Sequence, residues 1–191
     1  MPILSVHQPH FFPWASYFFK IKKSDFFVIL DDVQFRKNYF QNRCEIPNAE
    51  GNHRQWLTVA IKKKNSSKSK INEVVLSENF QSTQILSSIE SSYRHTPFYE
   101  QVYPDLEKLF SANDIYLCDL NVRGILWCLK VLDIQTTTLL SSQLKVPSNQ
   151  NPTMRLVNLC IQTGMSSYIS GPGGKNYMDL SLFQDNGIDL L

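Results

Sequence analysis

No run of apolar residues in this 191-residue chain approaches the roughly 20 needed to cross a bilayer. The opening MPILSVHQPH lacks the basic start, long apolar stretch and small-residue cleavage site of a secretory signal. Cysteine is scarce: Cys44, Cys118, Cys128 and Cys160 lie far apart and make no CxxC pair, which argues against a zinc ribbon and for reduced, buried thiols. An excess of one charge is missing too. With 19 Lys and Arg against 17 Asp and Glu, the net charge of +2 gives no broad field for nucleic acid or an anionic membrane. The expectation is a cytoplasmic protein, not inserted in a membrane, that holds any anion locally.

Several catalytic signatures are also lacking. There is no HExxH helix motif, and His7 with His10 has no evident third ligand, so no metal site is expected. GxSxG is absent, and no cysteine has a histidine partner legible in the sequence. Around Lys175, Ile169 and Asn176 stand where a Walker A loop needs glycine and a hydroxyl residue. Long linkers, repeats and low-complexity tracts are missing, which leaves one domain over residues 1–191.

What is abundant is aromatic residues near the start. Of the 12 Phe, 8 Tyr and 3 Trp, 11 fall within the first 40 residues, favouring a site or interface there over an evenly filled core. ILSV reads as a short strand that Pro9 and Pro13 prevent from continuing. Trp14, Tyr17, Phe18 and Ile21 then recur at i, i+3, i+4 and i+7, the face of a helix reaching about Lys23. Its Lys20, Lys22 and Lys23 suit the negative end of the helix dipole. DFFVIL is a second, fully buried strand. Strand, short helix and strand predict a parallel pair with a right-handed crossover.

That pairing places the polar residues. Ligands of open α/β sheets bind beyond the carboxyl ends of the strands. His7 and Gln8 end the first strand and Asp31 and Asp32 the second, so neighbouring strands would turn them to one crevice. The adjacent aspartates point to opposite faces, so at most one looks into it. Downstream, VQFRKNYFQNRCEI interleaves Gln34, Arg36, Lys37, Gln41, Asn42 and Arg43 with Phe35, Tyr39 and Phe40. That pattern suits a ligand with a phosphate or carboxylate and a flat or sugar ring.

QWLTVAI and INEVVLS are expected to pair as an inserted hairpin across KKKNSSKSK. Helices are predicted over 81–93, 98–112 and 121–132, with Pro97 and Pro104 near their ends. TTTLLSS is a third core strand. NPTMRLVNLCIQTG has the Asn-Pro start and Gly164 stop of a helix, and SSYIS is a further strand. The GPGGKNY turn that follows permits close backbone approach, with Lys175 as a local positive charge. The fold class is therefore α/β: a mostly parallel sheet flanked by helices, with the hairpin and helices between 50 and 130 as an insertion.

HQPHFFPWASYFFKIKKSDFFVILDDVQF, QNRCEI, QWLTV and SGPGGKNYMD, in this order, resemble the WbqC-like family of bacterial proteins from His7 to the C-terminus. The family pattern matches at His7, Gln8, Pro9, Pro13, Trp14, Tyr17, Phe18, Asp25, Asp31, Val33, Gln34, Asn42, Arg43, Trp56, Ser170, Gly171 and Tyr177. Ser16 departs from its usual glycine and Ala60 from its common proline. Family members usually continue past NGIDLL with a segment rich in His, Pro, Tyr and Gln, which this chain is expected to lack.

The resemblance implies a role beside gene clusters for O-antigen and other surface polysaccharides, and a transferase that places glycine or another aminoacyl group on a sugar. The donor would be an adenylate made from ATP or an aminoacyl-tRNA, the acceptor a sugar or nucleotide sugar. The strand, His-containing turn and helix also resemble the Rossmann-like nucleotidyltransferase or HUP domains, whose HxGH occupies the same topological place. On this reading His7 is the acid-base group, Asp31 orients an amine or hydroxyl, and Lys37, Arg43 and Lys175 hold phosphate or carboxylate. Gln8, Gln34 and Asn42 give directional hydrogen bonds. Trp14, Tyr17 or Trp56 forms a stacking wall, and Ser170, Gly171 and Tyr177 complete the binding set. An adenylate-forming enzyme and a non-catalytic ligand-binding module are the alternatives.

Overall fold

The computed structural model describes residues 1–62, 68–147, 151–171, 173–174 and 178–191. In chain order the elements are β1 (Ile3–His7), α1 (Ala15–Lys22), β2 (Phe26–Ile29), β3 (Arg43–Pro47), β4 (Arg54–Thr58), α2 (Ser82–Tyr93), α3 (Tyr99–Phe110), α4 (Leu117–Val131), β5 (Thr137–Leu140), α5 (Pro152–Thr163), β6 (Ser167–Ile169), α6 (Leu180–Asp185) and β7 (Asp189–Leu190). They form two compact units. One comprises Met1–Pro9, Trp14–Val33 and Cys128–Leu191, the other His10–Pro13 and Gln34–Trp127. Among the described residues no helix is long and apolar enough to cross a membrane.

The first unit is built on a five-stranded sheet in the order β5-β2-β1-β6-β7, with every neighbouring pair parallel. The expected adjacency of β1 and β2 is present, with Leu4 opposite Phe26 and His7 opposite Ile29. Strand alternation sorts the side chains. Leu4, Val6, Val28 and Tyr168 join Leu156, Val157 and Leu159 of α5 and Phe183 of α6 in one buried cluster. Ser5 and Phe27 belong to the opposite face: the Ser5 and Ser24 hydroxyls lie 2.7 Å apart, and Phe27 packs edge-on against Tyr17 of α1 at 5.5 Å. Each fully buried Leu, Ile or Phe here contributes about 1.5–3 kcal/mol relative to exposure.

Local signals set the element ends. Asn151 caps α5 by accepting from the amides of Thr153 (2.9 Å) and Met154 (3.2 Å), Pro152 begins it and Gly164 closes it. Asp179 caps α6 by accepting from the Ser181 amide at 3.1 Å.

The second unit carries the antiparallel pair β3–β4 and the helices α2 and α3, together with most of α4. Here one expectation is corrected. QWLT pairs with RCEIP, not with INEVVLS: Cys44 lies opposite Leu57 and Glu45 opposite Trp56. The reason is the short connection after Pro47. Asn48 accepts from the amides of Asn52 and His53, and Gly51 takes a φ of 71°. Closing this loop costs less chain entropy than closing the lysine-rich one. Of the expected pairing a single bridge remains, Ile61 with Leu76, and Ile71–Glu73 is a 3₁₀ turn. Two smaller corrections concern helices. α4 begins at Leu117, and Pro104 lies inside α3, not at its end.

None of the four cysteines is in a disulfide, and Cys44, Cys118 and Cys160 are buried. Burial pushes the Cys44, Cys128 and Cys160 thiols up to about 12, so they are held as thiols at neutral pH.

Candidate functional site

The sheet of the first unit starts in its middle. From β1 the chain builds outward to β2 and β5, then returns to the other side of β1 with β6 and β7. The order reverses between β1 and β6, and in open α/β sheets ligands bind beyond the carboxyl ends of the strands at such a point. The β1–β6 ladder stops at Ser5 opposite Ile169. Beyond it, Ser170 continues only the β6–β7 ladder, its amide donating to the Leu191 carbonyl at 3.2 Å. Ile3 and His7 direct their carbonyls to β2, accepting from the amides of Asp25 and Leu30, so the intervening Val6 carbonyl faces β6. With no β6 amide to meet it, it accepts instead from Lys20 Nζ of α1 at 2.9 Å.

His7 closes this split from the β1 side. Its Nδ1 lies 3.1 Å from the Gln8 carbonyl, which only accepts, so Nδ1 carries the proton and Nε2 the lone pair. Tyr17 braces the turn: its hydroxyl donates to the same carbonyl at 3.1 Å and its ring meets His7 edge-on at 4.7 Å. Burial, then the nearby Lys20 charge, lowers the His7 pKa to about 4, the Gln8 carbonyl opposing. Burial also lowers Lys20 to about 8. At neutral pH the imidazole is a neutral acceptor beside a part-buried ammonium.

On the β6 side, Ser170 donates to the Gly171 carbonyl at 3.0 Å. A Cβ on Gly174 would overlap Ser170 Oγ and come within 2.9 Å of Met178 Cε, so a side chain here would displace Ser170 and Met178. Gly171 is different. Its φ is not positive and a Cβ there would meet nothing within 4 Å among the described residues, so they place no demand for glycine at this position.

Asp31 and Asp32 follow β2 as expected, yet both are buried, with relative exposures of 2% and 8%. Asp31 Oδ1 accepts from the Ser142 amide at 2.9 Å and Oδ2 from the Ser142 hydroxyl at 2.6 Å. Ser141 Oγ lies 2.9 Å from Asp31 and 2.5 Å from Asp32, and accepts from the Asp31 amide. Asp32 takes Arg155 Nη2 between its two oxygens at 2.5 and 2.7 Å. Burial raises the Asp32 pKa, but the bonds from Arg155 and Ser141 and the Arg155 charge outweigh it, holding it below the ordinary carboxylate range. This network fastens the ends of β2 and β5 to the first turns of α5.

The remaining expected residues divide between the units. Trp14, half exposed, immediately precedes α1 in the first. Gln34, Lys37, Asn42, Arg43 and Trp56 belong to the second. There the Arg43 guanidinium covers the Trp56 ring at 3.9 Å, and Phe40 adjoins that ring at 5.9 Å. Arg36 similarly covers Tyr39 at 4.7 Å. Gln34 bridges to Lys70, and Lys37 is exposed. Asn42 is buried, its side chain donating to the Val59 carbonyl at 3.2 Å. Lys175 and Tyr177 lie outside the described residues.

Sequence reading missed Lys20, Ser141, Ser142 and Arg155. The serines ending TTTLLSS had the same signal as Asp31, a polar pair at a strand's carboxyl end. Lys20 stands three residues after Tyr17, on the helix face that meets β1, but its last-turn position read as dipole compensation.

Residues 8–191 match the WbqC-like protein family. The chain is also 28% identical over 189 residues to a protein of Mycobacterium tuberculosis (strain ATCC 25618 / H37Rv) titled "Uncharacterized protein Rv1507c", covering 98% of this chain and 80% of that one. No solved structure matches.

Proposed function

The chain belongs to the WbqC-like protein family, and from that premise we propose that it is a transferase acting on a sugar or nucleotide sugar at the split between β1 and β6. The observation that carries the reading is His7, held as its Nδ1–H tautomer at the point where the strand order reverses. In this position Nε2 takes the proton from an acceptor hydroxyl or amine as that atom attacks the carbonyl of an activated glycyl or other aminoacyl donor. The acceptor–acyl bond forms, the bond from acyl to the adenylate or tRNA leaving group breaks, and the proton passes from the imidazolium to that leaving group. Tyr17 and the Gln8 carbonyl orient the ring. Gly171 leaves room for substrate against the backbone. The resemblance to proteins of O-antigen gene clusters supports a precursor of surface polysaccharide as the acceptor, and hence work in the cytoplasm.

The test is product formation. Purified protein is incubated with nucleotide sugars and either glycine with ATP or glycyl-tRNA, and mass spectrometry looks for a glycyl-sugar product. His7→Gln is expected to abolish product while the circular dichroism spectrum is unchanged; undiminished turnover by this variant would refute the role of His7. A second reading, an adenylate-forming enzyme, is favoured by the strand order, which is that of sheets that bind nucleotides at the reversal. Glycine-dependent exchange of pyrophosphate into ATP supports it. ATP binding without exchange counts against it, and binding of a nucleotide sugar without turnover would indicate a non-catalytic module.

A further inference from the structure

Lys20 presents an uncompensated charge. Among the described residues its Nζ has one partner, the Val6 carbonyl at 2.9 Å, and no carboxylate pairs with it. The residues outside the described set are Lys, Asn, Ser, Gln, Pro and Tyr, none of them acidic. Asp25 accepts from the Ile3 amide, and Asp31 and Asp32, after the neighbouring strand β2, are engaged by Ser141, Ser142 and Arg155. A part-buried ammonium without a counter-ion is costly to hold, and proteins normally pair or neutralise such a group. Here it is aimed at the one side of β1 where the sheet ladder has opened.

The opposite lip of that opening adds a second observation. Gly171 has no left-handed backbone and, among the described residues, no neighbour that a side chain would strike. A glycine these residues do not demand, directly after Ser170 at the end of β6, leaves space for a group lying close to the main chain. The cation, reaching from α1 to the Val6 carbonyl of β1, and the clearance after β6 thus stand on the two sides of the split.

We propose that Lys20 is the anion-binding residue of this site, and that it holds a phosphate or diphosphate group of the substrate in the gap between β1 and β6, over Gly171. The assignment rests on the transferase reading for which substrate carries the phosphate, but not for the charge argument itself. It also gives His7 a ligand-dependent setting. An oxyanion at Lys20 offsets the second of the two causes that depress the imidazole's basicity, leaving burial as the first. Binding of the phosphorylated substrate would make His7 a stronger proton acceptor.

The test is calorimetric titration of the full chain with inorganic pyrophosphate and, separately, inorganic phosphate at physiological salt. Wild type is expected to bind pyrophosphate, and Lys20→Met to weaken that binding at least tenfold. Lys22→Met, which removes the same charge from an exposed position on the same helix, should leave it unchanged. Lys20→Arg should retain it within a few-fold, and thermal melting checks that each variant is folded. Tighter binding of pyrophosphate than of phosphate points to a nucleoside diphosphate group, equal binding to a sugar monophosphate. The proposal is overturned if wild type binds neither anion at millimolar concentration, if Lys20→Met binds like wild type, or if Lys22→Met loses as much as Lys20→Met. Lys20-dependent binding together with no glycyl-sugar product from any donor would overturn the transferase reading alone.

Discussion

Replacing His7 by Gln should change how stability depends on pH. In the folded chain the imidazole pKa is lowered from 6.5 to about 4, with burial as the main cause and the Lys20 charge as the second. A folded-state value below the unfolded one means that protons prefer the unfolded chain. The stabilisation from keeping His7 neutral is therefore complete above pH 6.5 and is lost as pH falls from there toward about 4. At about 1.36 kcal/mol per pH unit, a shift of this size corresponds to about 3–4 kcal/mol at most, and partial access of the ring to water reduces it. Since a domain is stable by only about 5–15 kcal/mol, such a loss is measurable.

The assay is urea unfolding of wild type and His7→Gln at pH 7.5, 5.5 and 4.5. Glutamine keeps a side-chain donor for the Gln8 carbonyl but does not titrate in this range. Both proteins share the titration of every carboxylate, so the difference between them isolates the imidazole. Wild type should lose stability relative to the variant steadily on acidification, by about 1 kcal/mol or more over this interval. Parallel curves, with the difference constant within error, would refute the argument that His7 is held neutral by burial beside Lys20. A difference that moved the other way would mean the ring gains a proton on folding.

Breaking the buried Asp32–Arg155 pair should be more damaging than removing it whole. Asp32→Asn and Arg155→Met are each expected to cost about 3–5 kcal/mol by leaving an unmatched buried group, and the double variant to recover a good part, measured by a urea double-mutant cycle; strictly additive losses would argue against a direct pair. Because the Asp32 pKa is depressed in the folded chain, its contribution holds above the ordinary carboxylate pKa and fades below it. Asp32→Asn should flatten the acid limb of the stability curve. Gly174→Ala forces Ser170 from its place and should cost about 1–3 kcal/mol, whereas Gly171→Ala should lie within about 0.5 kcal/mol of wild type in the same unfolding assay. Equal effects of the two would remove the distinction between a packing glycine and one kept clear for ligand.

Local patterning carried much of the architecture. The change from strand to helix period at Trp14, the two prolines beside HQPH and the Asn-Pro and glycine ends of α5 specify those elements because each acts within a few residues. The nearness of β1 and β2 followed as well, since a short crossover leaves few other arrangements. The hairpin was misjudged because alternation states which face a strand buries and not which strand it pairs with; the tighter loop at Asn48–His53 chose β3.

Local pattern is enough to specify the N-terminal strand, helix and strand, and to put His7 and the aspartates at the ends of their strands. What those groups meet depends on the packing of the whole chain. That β6 returns beside β1, that the Val6 carbonyl is left to Lys20, and that Asp31 and Asp32 are bound by Ser141, Ser142 and Arg155 more than a hundred residues away depend on strand order and on long side chains. Period and spacing fix a residue's direction on its own element. The partner at the end of that direction is fixed only when burial of the whole sheet selects one packing from many.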